Sequence, residues 1–138
     1  MSKAIENLER AQKQAMAIRP KVGGFPYLAE TLRRAGVTRN TWTLPACQAL
    51  YLTKDGPVAI MFAPLISGSS DVPAFSRDAL IRALRVDQAG ESTFLQFLES
   101  SWLAGVIRFD VDFEARTVSY HGCNGEQYLE ACPSIEIP

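Results

Sequence analysis

Two stretches of this chain follow one pattern. Ala35-Gly36-Val37-Thr38-Arg39 and Ala104-Gly105-Val106-Ile107-Arg108 stand 69 residues apart (36 to 105). Further identities accumulate at that offset without a gap: Phe25 on Phe94, Glu30 on Glu99, Ala46 on Ala115, Tyr51 on Tyr120, Gly56 on Gly125 and Pro64 on Pro133. No other feature limits the fold as much, because a unit written twice builds one supersecondary element twice and then packs the two together. The matches also fall where backbone physics wants them. Gly36 and Gly105 each follow a helical pattern and suit the left-handed residue that closes a helix. Asp55-Gly56 and Asn124-Gly125 are strong hairpin signals. Pro64 and Pro133 each end an apolar strand, where a missing N–H does least harm. Tandem duplication is therefore the first expectation, with repeats over about 4–64 and 73–133 of a single domain spanning 1–138.

Within each repeat the apolar spacing predicts two helices and then three strands. In the first, Ile5, Leu8, Ala11, Ala15 and Ile18 recur at helical intervals, which places a helix over 3–18 with Ser2 as its cap. Pro26 suits the first turn of a second helix over 26–34. Strands are expected over 38–44, 47–53 and 58–63, then a Gly/Ser-rich linker over 65–72. The second repeat predicts helices over 77–86, capped by Ser76, and 93–104, capped by Ser92, followed by strands over 106–113, 116–122 and 126–131. The residues from 134 onward are expected to fray. The fold class is thus α+β, an internally duplicated helix-helix-three-strand unit with antiparallel meanders packed against helices.

Strand alternation then sorts side chains by face. In the second repeat Ile107, Phe109, Val111 and Phe113 point one way and Arg108, Asp110 and Asp112 the other. A two-residue turn at Asn124-Gly125 would set His121 opposite Tyr128 and Ser119 opposite Glu130. One face would then collect Arg108, Asp110, Ser119, His121, Tyr128 and Glu130 as a candidate polar site, with His121 the one side chain whose ordinary pKa lies near neutrality. A solvated sheet face with cross-strand charge pairs produces the same alternation without any chemistry. The first repeat differs. Leu50, Leu52, Ala59 and Met61 hold the outward positions, so its second and third strands are apolar on both faces. Such strands are normally covered on both sides. A second copy of the chain, a ligand, or the other half of the same chain are the available covers, and Leu50, Leu52, Ala59 and Met61 are the candidate interface.

Composition narrows the function classes. A formal net charge of −1 provides no field to attract nucleic acid, so none is expected as a partner. No apolar run approaches the roughly 20 residues of a membrane span. Charged residues near the N-terminus, Lys3 and Glu6, stand where an export signal would be apolar. Cys47, Cys123 and Cys132 have neither metal spacing nor an even count, so free thiols in a reducing cytoplasm are expected, with no metal. There is no phosphate loop and no dinucleotide fingerprint, and no cofactor is expected. Cys123 near His121 admits a nucleophile–base pair, though an exposed turn cysteine without a role fits the same spacing. Arg39 and Arg108 are repeat equivalents. They admit anion binding across a pseudo-twofold, or plain surface pairing with Glu30 or Glu99. Trp42 and Trp102 are expected in the core, and Asn40, which takes the place of Phe109, either as a buried hydrogen-bonded group or at a local irregularity.

Several of these residues resemble a known family. Phe25 through Gly36-Val37, Asp71-Val72-Pro73-Ala74-Phe75 with Ile81-Arg82-Ala83-Leu84-Arg85, Ala104-Gly105-Val106, and Tyr120-His121-Gly122-Cys123-Asn124-Gly125-Glu126 are similar to the YbcV-like family, domain of unknown function family 1398. Its members are small bacterial and prophage proteins, often labelled phage envelope protein. The resemblance implies the duplicated fold, no established activity and, through that label, a phage accessory or structural role. Family members tend to carry a histidine between the third strand and the third helix, and 65–71 has none here. Taken together, the expectation is a non-catalytic small-molecule-binding or protein-interaction module, dimeric if the apolar sheet face is self-covered. The alternative is an enzyme that uses the polar face around His121.

Overall fold

The computed structural model describes residues 1–137. Helices α1 (Lys3–Ile18) and α2 (Phe25–Arg34) precede strands β1 (Val37–Thr43), β2 (Gln48–Thr53) and β3 (Gly56–Met61). The order then repeats as α3 (Arg77–Gln88), α4 (Phe94–Leu103), β4 (Arg108–Asp112), β5 (Thr117–His121) and β6 (Gln127–Ala131). The two meanders join through β1 and β4 into one six-stranded antiparallel sheet, ordered β3-β2-β1-β4-β5-β6. The α+β class holds. All four helices lie on one face of the sheet, so the fold has two layers and its core lies between them.

Helix ends follow local chemistry. Ser2 and Ser76 accept from the backbone N–H of Ile5 and Ala79 and open α1 and α3 as expected. Helix α4 starts one residue later than its expected cap allows. Thr93 and Gln96 form a reciprocal capping box, while Ser92 donates to Asp87 instead. A capping box satisfies two orphan N–H groups at once, which a lone Ser92 cap would not.

The core is built from the inward residues of the central strands. Trp42 on β1 packs on Phe109 of β4 (6.1 Å between ring centroids), Phe94 of α4 (5.0 Å) and Phe62 (5.3 Å). Trp42 and Trp102 are both buried. Asn40 is buried and satisfied: its amide donates to the Leu50 carbonyl, and its side-chain oxygen accepts from the Trp42 indole N–H at 2.9 Å. The bond orients Trp42 within the aromatic cluster while leaving no orphaned polar atom at Asn40.

Two expectations about the sheet are corrected. The halves do not cover one another; they lie side by side in one sheet, and Leu50, Leu52, Ala59 and Met61 stay exposed. The β5–β6 connection is also not a two-residue turn. The Gly122 N–H donates to the Glu126 carbonyl, enclosing Cys123, Asn124 and Gly125, with Gly125 at φ 85°. A three-residue loop with a left-handed third residue shifts the pairing by one relative to a two-residue turn. A one-residue shift exchanges the faces of a whole strand. His121 therefore pairs with Gln127, Tyr120 with Tyr128, and Val118 with Glu130. Tyr128 and Glu130 face the helices, and Leu129 and Ala131 face outward.

Gly36 and Gly105 close α2 and α4 at φ 94° and 87°. They differ in surroundings. A Cβ on Gly105 would stand 2.5 Å from the Phe75 backbone, whereas one on Gly36 would meet only the flexible Lys54 side chain. Gly105→Ala is expected to cost about 2–4 kcal/mol and Gly36→Ala about 1–2 kcal/mol in urea unfolding, because only Lys54 can move aside. The β6 register yields a second expectation. Gln127→Ala, exposed and outward at the edge of the sheet, should shift stability by no more than about 0.5 kcal/mol, whereas Tyr128→Ala should cost about 2 kcal/mol. The reverse ranking would overturn the three-residue loop.

Candidate functional site

The face of the sheet opposite the helices is ruled by its register into three rows of outward side chains. Along one end run Pro57, Leu52, Arg39, Asp112, Thr117 and Ala131; along the middle, Ala59, Leu50, Thr41, Asp110, Ser119 and Leu129. The other end carries Met61, Gln48, Thr43, Arg108, His121 and Gln127. The face is thus largely apolar over β2 and β3, charged over β1 and β4, polar over β5, and apolar again at Leu129 and Ala131 of β6.

Asp110 stands at the centre. Its Oδ1 accepts from the Thr41 hydroxyl at 2.8 Å, and its Oδ2 lies 3.3 Å from Arg108 Nε and 3.3 Å from His121 Nε2. Beside it Arg39 pairs with Asp112 at 3.3 Å. The four charges on this face cancel in two pairs, each half-exposed, so each contributes at most about 1 kcal/mol. Of the expected polar site, Arg108, Asp110, Ser119 and His121 do share a face, with Arg108 paired to His121 and Asp110 to Ser119. Tyr128 and Glu130 do not join them. Tyr128 takes the Arg77 guanidinium over its ring at 5.2 Å, and Glu130 accepts from Arg85 at 2.5 Å, so both tie β6 to α3. The Asn124-Gly125 pair does not separate the two arrangements, because a left-handed Gly125 suits a three-residue loop as well as a two-residue turn. Cys123 is exposed in that loop, and the partner of His121 is Asp110. The expected pairing of Arg39 or Arg108 with Glu30 or Glu99 is replaced by pairing within the sheet, because strand neighbours at directly opposite positions lie closer than any helix residue on the far side.

Glu30 belongs to a different cluster. Buried on α2, it takes a two-pronged contact from Arg33, a third bond from Arg34 and the approach of Arg116 at 3.6 Å. The Arg33 hydrogen bonds, helped by Arg34 and opposed by burial, hold its carboxyl down at about 2. Beside it a cavity of about 10 Å³, room for one water, is lined by Phe25, Val111, Arg116 and Cys132. Burial pushes the Cys132 and Cys47 thiols up, which leaves both poor nucleophiles. A larger cleft of about 330 Å³ lies between α3 and α4, floored by Ala79, Ala83 and Ala104 and rimmed by Arg82, Val86 and Leu103. Among the described residues no group of three His, Cys, Asp or Glu side chains is placed to hold a metal ion. No helix of the described residues is long and apolar enough to cross a membrane.

A family described as protein of unknown function (DUF1398) matches residues 13–130. The chain belongs to this family. An uncharacterized protein of Mycobacterium bovis is 53% identical over 136 residues, covering 99% of this chain and 83% of the relative. Uncharacterized proteins from two strains of Mycobacterium tuberculosis match at the same identity and coverage. The match spans both meanders and the β1–β4 seam, so the whole six-stranded sheet belongs to the shared unit.

The Glu30 cluster makes a pH prediction. Its folded pKa lies below the ordinary 4.5, so its contribution is present above that value and is lost as pH falls toward about 2. Glu30→Gln should lower stability by about 1–2 kcal/mol at pH 7 and flatten the loss between pH 4.5 and 2, as followed by urea unfolding at a series of pH values.

Proposed function

We propose that this protein is a non-catalytic interaction module whose working surface is the open face of the sheet. One observation carries the reading. Leu50, Leu52 and Met61 are 41%, 45% and 66% exposed, side by side with Pro57 and Ala59 on the paired strands β2 and β3. An antiparallel sheet that faces water on one side normally carries polar residues there. A contiguous apolar patch in their place marks a surface that another molecule covers. The face is flat and extended, which suits another protein surface. A small-molecule ligand would instead take the α3–α4 cleft, whose volume sits at the low end for such sites. The three unpaired thiols fit a reducing cytoplasm as the place of action. The tandem duplication belongs to the same proposal. Thr41 and Asp110, repeat equivalents, stand directly opposite each other across β1 and β4. Cys47 and Arg116, also equivalents, take the same left-handed conformation at φ 58° and 55° in matching loops. Both facts are what a pseudo-twofold through the β1–β4 seam produces.

The test is photo-cross-linking in cells from a reactive residue placed at Leu50, against the same residue at the exposed Glu9 on α1. Capture from position 50 alone, abolished by Met61→Asp with unchanged thermal unfolding, is the expected result. Equal capture from both positions would overturn the reading.

A second reading has its own observation, the Asp110–His121 contact, which holds an imidazole on the open face as a general base would be held. It requires His121→Ala to change cellular metabolite levels while leaving stability within about 0.5 kcal/mol. Unchanged metabolites would remove it.

A further inference from the structure

We infer that the cover of the open face is a second copy of this chain, stacked sheet on sheet about a twofold axis that runs across the strands along the middle row, from Ala59 and Leu50 through Thr41 and Asp110 to Ser119 and Leu129. The inference rests on the reading of this face as an interaction surface and names the partner.

Size is the first argument. Six strands about 4.8 Å apart and five residues long give the whole face a flat footprint on the order of 500 Å². Even the whole face falls below the roughly 800 Å² per partner of a standard interface, and the apolar half alone covers only about half of it. A stable partner must therefore extend over the charged strands as well, and must answer their charges.

Symmetry is the second argument. Two sheets that stack through the same face can be related by an axis along the strands or by one across them. An axis along the strands would lay β2 and β3 of one copy on β5 and β6 of the other. Leu50 would then lie on Ser119 and Leu52 on Thr117, desolvating both hydroxyls without pairing them, which costs free energy. An axis across the strands returns each strand to its own counterpart and exchanges the two outer rows. Leu50 then meets Leu50, Ala59 meets Ala59 and Leu129 meets Leu129. Met61 meets Pro57, while Leu52 meets Gln48 and Ala131 meets Gln127 at the margins.

Charge is the third. The same exchange of rows carries Arg108 over the partner's Asp112, and Asp112 under the partner's Arg108, which makes two new ion pairs per dimer. Arg39, already held by Asp112, meets Thr43. The one like-charge meeting is Asp110 on Asp110, and each of these carboxylates is already contacted by Thr41, Arg108 and His121 within its own chain. The face as a whole carries two arginines and two aspartates, so two copies approach without net repulsion. A buried charge tolerates burial only when paired, and this arrangement pairs all but the shielded centre.

The experiment uses the full chain with Cys123→Ser and Cys132→Ser, which leaves buried Cys47 as the remaining thiol. Single cysteines are placed by Leu50→Cys and by Leu129→Cys, both outward positions on the proposed axis. Opposed backbones in stacked sheets lie about 10 Å apart, within reach of a short bismaleimide. The expected result is a dimer by native mass spectrometry that links efficiently through position 50 and through position 129. Leu50→Asp should raise its dissociation constant by about 30-fold with unchanged circular dichroism. A dimer that links at neither position overturns the inference but leaves the interaction reading standing. So does a monomer that still yields photo-cross-links to another protein from position 50. A monomer that yields none overturns both.

Discussion

The antiparallel pairing of β1 with β4 is the interaction on which the rest of this structure depends. It brings Thr41 opposite Asp110 and Trp42 opposite Phe109, from positions far apart in the chain, and turns two three-stranded meanders into one sheet. A half of the chain folded alone would bury a smaller share of its surface than the whole does. Joined, the two share a continuous aromatic core in which Trp42 of the first half is packed by Phe94 and Phe109 of the second. The same pairing generates the surface features. The rows of the open face, the Asp110 cluster and the change from an apolar to a charged surface all follow from strands lying side by side in this order.

What the open face becomes depends on how few residues separate a hairpin's strands. Between β2 and β3, Thr53 pairs with Gly56 around Lys54 and Asp55. Between β5 and β6, Gly122 closes on Glu126 around three residues, and the Glu126 side chain also accepts from the Asn124 N–H. The single residue of difference reverses the third strand. Val58 and Ile60 point toward the helices in the first half, whereas Tyr128 and Glu130 do so in the second. The helix layer accepts the polar pair because α3 presents Arg77 and Arg85 to it. The two halves share one plan and differ in their third strand, with the result that one edge of the open face is aliphatic across two strands and the other only along one.

Much of the fold was legible in the residues. The order of elements, the Ser2 and Ser76 caps, the buried tryptophans and the outward position of Leu50, Leu52, Ala59 and Met61 all follow from local periodicity. Local periodicity is strongest where strands alternate cleanly. The candidate polar site was legible only in part. Arg108, Asp110, Ser119 and His121 share a face because strand alternation puts them there, and the β4–β5 pairing then sets which of them are neighbours. Tyr128 and Glu130 leave the site because the next register is set by the loop conformation of Gly125. The helix α4 cap moved from Ser92 to Thr93 for a similar reason, since the choice lay between neighbouring hydroxyls and was decided by what Gln96 and Asp87 could reach.

The sequence by itself determined the periodicities, and so which residues of each helix and strand are apolar and where each element stops; these are short-range properties of propensity, capping and side-chain alternation. Tertiary structure alone decided that the two halves lie beside one another and do not stack face to face. Sheet extension satisfies the edge N–H and C=O groups of β1 and β4, which stacking would have left open. It also decided which charges meet: Arg39 with Asp112 and Arg108 with Asp110, leaving Glu30 to the arginines of its own helix and Arg116. Partners of that kind are chosen by distance across strands, and such distances exist only once the sheet has formed.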